Sequence, residues 1–364
     1  MRNTRVLLIL GLAAMLWITV GWLATNPVVG NHQELRVMVA GPQDYGLQAQ
    51  RVAFAATDGI PLVAWWLPPR AEPKEVHGTV ILAHGGAGNR SYMLSRAAFL
   101  VRNAWNVLAV DLRMHGESGG EWMSPGYYEA QDLLGAAAYT RDRGERGPII
   151  LLGHSSGAVA SLHAAAQSVD VAAVIADGAF ISPEAMMRGV ANVVANDPHA
   201  SIWRKVGVRL ATSRTLQVAV VLPMYAVRTG HSLELDSASA RSAIVGLGAR
   251  PVLFIAGERD SVVPPENARR MYDAAQSPFK RLLIIPGAEH DNTYRVNARL
   301  YEAEVLAFLH TVLAADTAAR PNKRLKLPGA HKQGGIALPR KPARSAPPPP
   351  YASRHFACSL SAIR

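Results

Sequence analysis

A chain of 364 residues, 49% of them hydrophobic, is long enough to bury a sizeable core as one large α/β domain or two modest ones. Its formal charge of +11 suggests a nucleic-acid partner until the charge is located, because ten of the 38 Lys and Arg and none of the 27 Asp and Glu follow Asp316. Up to Asp316 the balance is 28 basic against 27 acidic residues, which argues against nucleic-acid binding by the body of the protein. The single cysteine, Cys358, excludes an intrachain disulfide and is neutral about compartment.

In chain order, Arg2 and Arg5 come first, followed by an apolar run at 6–24 in which Thr19 is the only clearly polar side chain. As a helix this run spans about 28 Å, close to the hydrocarbon thickness of a bilayer. We read residues 1–30 as an uncleaved signal anchor that contacts the lipid bilayer through 6–24. The arginines then stay cytoplasmic and the body lies outside the cytoplasmic membrane, with Trp17 and Trp22 towards the far interface. A signal peptide cut after Gly30, which would release a secreted form, is the alternative.

Residues 51–69 form two β-rich runs around Asp58-Gly59, a hairpin signal. Six nearly continuous apolar runs follow, at 78–86, 106–116, 148–157, 171–180, 251–260 and 281–290, each ending in glycine and polar residues. Strands buried on both faces have this composition. Helical stretches at about 91–103, 125–142, 156–167, 266–275 and 295–315 fill the intervals. The order predicts an α/β fold: a mostly parallel open sheet with helices on both faces, behind a leading antiparallel hairpin. Residues 181–247 are too long for one crossover and contain amphipathic pieces, so they predict a helical cap inserted over the site. The domain is placed at 31–316. The Pro-rich basic tail, 317–364, lacks apolar periodicity and is expected to be disordered.

At 153–157 the sequence "GHSSG" joins a strand to an alanine-rich helix. A sharp strand-to-helix turn needs Gly153 and Gly157 on either side, and holds Ser155 in a strained conformation with its hydroxyl projecting. Ser155 is the expected nucleophile, while Ser156 contributes its backbone N–H at a helix N-terminus as an oxyanion donor. A serine hydroxyl needs a base, and that base needs an orienting acid. "GERDSVVP" offers Asp260 past one strand, and "PGAEHDNTY" offers His290 past the next. "HGGAGNR" at 84–90 lets the backbone approach a ligand, which makes the Gly86 N–H the second expected oxyanion donor.

These segments, with "VDLRMHGESGG" and "ADGAF", resemble the α/β-hydrolase superfamily, in particular its membrane-linked Bem46-like and serine-aminopeptidase-like (S33) branch, over roughly residues 50–315. The resemblance implies Ser155 as nucleophile, Asp260 as acid, His290 as base, and the Gly86 and Ser156 amides as oxyanion hole. Ser156 departs from the Met or Gln often found after the nucleophile, and the 181–247 insertion leaves substrate choice open.

Other polar residues have plainer readings. His84, His115 and His154 lack zinc-ligand spacing on a common helix and are read as structural, so no metal is expected. Asp177 ends another strand and is an alternative acid. Asp111 and Arg113 are read as loop braces, and Glu289 and Asp291 either adjust His290 or face water. The expected activity is a membrane-anchored serine hydrolase acting on a small-molecule, acyl or peptidyl substrate, most simply a carboxylic ester, and needing no cofactor. A serine aminopeptidase or amidase uses the same residues. A silent hydrolase fold serving as a binding module is the competing class.

Overall fold

The computed structural model describes residues 2–72 and 75–319. Beyond residue 319 the basic tail lies outside the described residues. The chain opens with helix α1 (Arg2–Thr25), then three short 3₁₀ turns, before the sheet begins. Strands β1 (Gln50–Ala55) and β2 (Pro61–Leu67) pair antiparallel around the Asp58-Gly59 turn. The alternating units β3 (Thr79–Ala83), α2 (Leu94–Arg102), β4 (Asn106–Asp111), α3 (Glu129–Asp142), β5 (Ile149–His154), α4 (Ser156–Gln167) and β6 (Val171–Asp177) follow.

After β6 the chain leaves the sheet for five helices, a detour that matches the helical interval read from the sequence. These are α5 (Pro183–Asn196), α6 (Ile202–Ala211), α7 (Arg214–Leu216), a π-helical turn (Gln217–Val221) running into α8 (Leu222–Thr229), and α9 (Ala240–Leu247). Ser182, Ser201 and Ser239 cap α5, α6 and α9 by accepting from backbone N–H groups of the first turn. The chain then returns through β7 (Val252–Gly257), α10 (Glu266–Ala274), β8 (Lys280–Ile285), α11 (Thr293–Val296) and α12 (Ala298–Ala319).

The eight strands are ordered β1-β2-β4-β3-β5-β6-β7-β8, and the six from β4 to β8 are parallel. Period-two alternation divides the core. Ile81, Leu108, Leu151, Val174 and Phe254 pack towards α3, α4, α9 and α10, whereas Leu82, Val107, Leu152, Ile175 and Leu253 pack towards α2 and α12. Strand order reverses between β3 and β5, so the crevice beyond their carboxyl ends is where such sheets bind ligands.

Two boundaries differ from the sequence expectation. Helix α3 starts at Glu129 rather than near residue 125, because the buried Glu129 carboxylate accepts from the Ser124 N–H (2.7 Å), the Ser124 hydroxyl (2.8 Å) and the Gly126 N–H (2.7 Å). Those bonds fold 124–128 into a compact loop. The stretch read as one helix from 295 is two, divided at Asn297.

Phe254, fully buried on β7, tests this core. Phe254→Ala should destabilise the protein by about 3–5 kcal/mol, read from urea unfolding followed by tryptophan fluorescence. A loss below about 1 kcal/mol would mean that the β7 face is loosely packed.

Candidate active site

The turn from β5 into α4 is fixed by contacts that exclude side chains. A Cβ on Gly153 would lie 2.2 Å from the Gly157 carbonyl oxygen, and one on Gly157 would lie 2.4 Å from that of His84 and 2.5 Å from that of Ala83. Only glycine permits this approach of α4 to β3 and β5. Between them Ser155 adopts φ 53° and ψ −119°, a left-handed conformation costly for a residue with a Cβ. Its N–H donates to the Asp177 carbonyl at 2.8 Å, which holds the turn to β6.

Three of the predicted side chains meet at this turn. Ser155 Oγ is 2.9 Å from His290 Nε2, and His290 Nδ1 is 2.7 Å from Asp260 Oδ2. The other Asp260 oxygen accepts from the Val262 and Val263 N–H groups at 2.9 and 2.6 Å, so the carboxylate is clamped before it meets the imidazole. Asp260 is buried, and His290 is largely covered. Each of the three follows a strand: β5, β7 and β8.

The 84–90 loop lies against the same turn, and its peptide planes are set from behind. The Gly85 carbonyl accepts from His84 Nδ1 at 2.8 Å and from the Gly88 N–H at 3.1 Å. Because a trans peptide is planar, fixing that carbonyl aims the Gly86 N–H the opposite way. Among the described residues no protein group accepts from it. His84 is suited to this task. Burial, and then its neighbour His115, hold it well below the usual imidazole range, and the Leu112 N–H donates to its Nε2 at 3.0 Å, which leaves the proton on Nδ1. The Ser156 N–H, in the first turn of α4, has no acceptor within the helix. A Cβ on Gly86 would meet Ser156 Oγ at 3.4 Å and Met123 Cε at 3.7 Å, so Met123 forms the apolar wall beside these two amides.

The remaining candidates separate. Asp177 does not contact His290: its Oδ2 accepts from Arg96 (2.7 Å), Thr293 (3.0 Å) and Tyr301 (3.1 Å). Burial pushes that carboxyl up, but Arg96 and His154 outweigh burial and hold it below its ordinary range. Asp111 ties the 84–90 loop to the one after β4 by accepting from the Arg90 side chain and from the Arg90 and Glu117 N–H groups, both at 2.8 Å. Arg113 braces Asp132 and Asp58. His115 directs its ring nitrogens at the Arg113 and Gly86 carbonyls. The contributions of Glu129 and Met123 were not read from the sequence. A carboxylate three residues after Gly126 and five after Ser124 is the one available signal for the Glu129 clamp.

His154 faces two carboxylates, Asp177 at 3.8 Å and Asp291 at 3.4 Å. One ligand atom each from His154, His290 and Asp291 lies within 4.8 Å of the others, a geometry able to hold a cation. Both His290 nitrogens are already engaged, however, so a cation there would take His290 from Ser155 or from Asp260.

Fold and site together define an α/β hydrolase. The chain belongs to the serine aminopeptidase S33 family of hydrolases, whose sequence model matches residues 74–294. It is 29% identical to the Bacillus subtilis protein YqkD over 65% of this chain and 72% of that one. It is 27% identical to a monoacylglycerol lipase of Mycolicibacterium smegmatis over 66% of this chain and 89% of that one. Among solved structures it resembles the Pyrococcus furiosus esterase Pf2001 in fold, with a TM-score of 0.62 and 23% identity over 78% of this chain and 98% of that one.

His154 sets a pH dependence. Burial alone would lower its pKa, but Asp177 and Asp291 more than compensate and push it up to about 9. A pKa raised above the unfolded value of about 6.5 gives stability that is complete below that pH and is lost as pH rises through the folded value. The stability advantage of wild type over His154→Gln should therefore shrink between neutral pH and about pH 10. A constant advantage would mean that His154 carries no charge in the folded protein.

Proposed function

We propose that this protein is a membrane-anchored serine hydrolase that cleaves a carboxylic ester or a related acyl bond through an acyl-enzyme. The observation that carries the reading is the continuous chain from Ser155 through His290 to Asp260, with contacts of 2.9 and 2.7 Å, beginning at a serine held in a strained turn. Ser155 Oγ attacks the substrate carbonyl and its proton passes to His290 Nε2, while Asp260 stabilises the resulting imidazolium through Nδ1–H. The oxyanion accepts from the Gly86 and Ser156 N–H groups. His290 then returns the proton to the leaving oxygen. A water, deprotonated by the same nitrogen, attacks the acyl carbon and releases the acid.

Amide cleavage by an aminopeptidase or amidase would use the same groups with an amine leaving. The monoacylglycerol lipase among the relatives supports the ester reading. Labelling by a fluorophosphonate probe tests for an active nucleophile, and a silent binding fold would stay unlabelled. Ser155→Ala and His290→Ala should each lower ester hydrolysis by about three orders of magnitude or more, with the double variant scarcely worse, because the two act as one unit. Asp260→Asn should be milder. Ser156→Ala keeps the backbone N–H and should retain most activity. A folded Ser155→Ala protein with near-wild-type turnover would overturn the assignment.

The anchor reading rests on α1, which by length and composition is able to cross a membrane alone. With Arg2 and Arg5 cytoplasmic, the body is extracytoplasmic. Protease added to spheroplasts should therefore digest the body. Full protection, with release by salt and without detergent, would instead mean a peripheral cytoplasmic protein.

A further inference from the structure

We propose that the helices between β6 and β7 form a second membrane-binding element, with α6 lying in the outer headgroup region of an anionic bilayer beside α1. The inference rests on the reading of α1 as an anchor. Its first support is the contact between the two. Ala219 lies in the π-helical turn that runs into α8, just ahead of Pro223. The Trp17 indole N–H donates to its carbonyl at 2.9 Å. Arg228 donates to the Trp22 carbonyl (3.2 Å), the Thr25 hydroxyl (2.8 Å) and the Val29 carbonyl (3.1 Å), and its guanidinium lies 4.0 Å from the centre of the Trp22 ring. At Gly21 a Cβ would come within 2.9 Å of Met224, so α1 and α8 touch backbone to side chain.

These contacts fix depth. Trp17 precedes the end of the apolar run at Ala24 by seven residues, about 10 Å along a helix. If 6–24 occupies the hydrocarbon, the turn around Ala219 lies about that far below its outer edge, the depth at which interfacial helices bury their apolar faces.

The second support is the surface of α6. Ile202, Trp203, Val206 and Leu210 share one stripe of that helix and all are exposed, Trp203 by 81%. Residues 198–233 contain no Asp or Glu. Arg204, Lys205 and Arg209 of α6 have no carboxylate partner among the described residues. A helix of ten residues is too short to span a bilayer, and it leaves the following helix at 75°. An exposed tryptophan on an apolar stripe flanked by unpaired cations matches an anionic lipid surface.

The same region borders the candidate active site. The segment after α1 pairs with the loop before α3, where Val29 bridges Trp122, the Gly30 N–H donates to the Glu121 carbonyl at 2.7 Å, and the Met123 N–H donates to the Val28 carbonyl at 2.9 Å. Met123 is the wall beside Gly86. An acyl substrate dissolved in the outer leaflet would thus have its ester presented near Ser155 from the lipid side.

The test uses the full chain in nanodiscs of phosphatidylcholine with a minority of phosphatidylglycerol. In a Cys358→Ser background, Trp203→Cys and Leu210→Cys carry a nitrobenzoxadiazole fluorophore, and Val169→Cys, exposed at the opposite end of the sheet, is the reference. Circular dichroism checks that each variant is folded. Blue-shifted emission at 203 and 210, quenched by shallow nitroxide lipids and weakened when phosphatidylglycerol is left out, is expected, with 169 unchanged. Emission at 203 and 210 like that at 169 would overturn the inference while leaving the anchor intact. A blue shift without lipid quenching would overturn it in favour of a second protein copy on this face. Protein that elutes apart from the discs would overturn the anchor reading and this inference with it. Fluorophosphonate labelling of the same samples reports separately on the hydrolase reading.

Discussion

The site depends on the close approach of the first turn of α4 to the ends of β3 and β5. With Gly157 against the Ala83 and His84 carbonyls, and Gly153 against Gly157, one packing contact sets three things together: where Ser155 Oγ projects, where the N-terminus of α4 points, and how far the 84–90 loop reaches. The strained serine is held there by the sheet it joins, through its N–H on the Asp177 carbonyl. Strain at that position follows from satisfying the contacts around it.

Behind this turn lies a layer of buried charge whose work is positional. Asp111 with Arg90, Asp132 with Arg113, and Asp177 with Arg96 sit at or near the carboxyl ends of the strands, and each ties two or more segments of the chain. A charge buried there costs free energy unless it is paired and hydrogen-bonded, so the geometry of each pair is tightly specified. Loops held by such pairs can present backbone amides in fixed directions, as His84 does more locally for the Gly85–Gly86 peptide. Preorganised dipoles of this kind need no rearrangement when charge develops on a substrate.

Much of this was legible in the sequence, for identifiable reasons. Strands buried on both faces leave continuous apolar runs, and the Asp58-Gly59 turn marks the leading hairpin, so all eight strands of the sheet could be placed. Ser155, Asp260 and His290 are short-range features of strand ends, and the fold brings them within hydrogen-bonding distance. What escaped depends on long-range pairing. Asp177 also ends a strand and on sequence alone stands as an alternative to Asp260; it is taken by Arg96 and Tyr301, from helices 81 and 124 residues away. The Glu129 clamp shortened α3 by a side-chain-to-backbone pattern that helix periodicity does not register. The contact of α1 with α8 and the turn before it joins residues 202 to 206 positions apart, and no local pattern marks it.

That contact changes what the N-terminal helix is. An anchor joined to its protein by a tether is interchangeable, and any apolar helix would serve. Here Trp17 donates to a backbone carbonyl of the turn before α8, and Trp22 and Thr25 receive Arg228. Proteolysis after Gly30 would accordingly remove the Trp17 donor, leave Arg228 without these acceptors and uncover the flank of α8 at Met224. Helix α1 is thus structural material of the finished molecule, so cutting it away and loosening the helices between β6 and β7 would be one event.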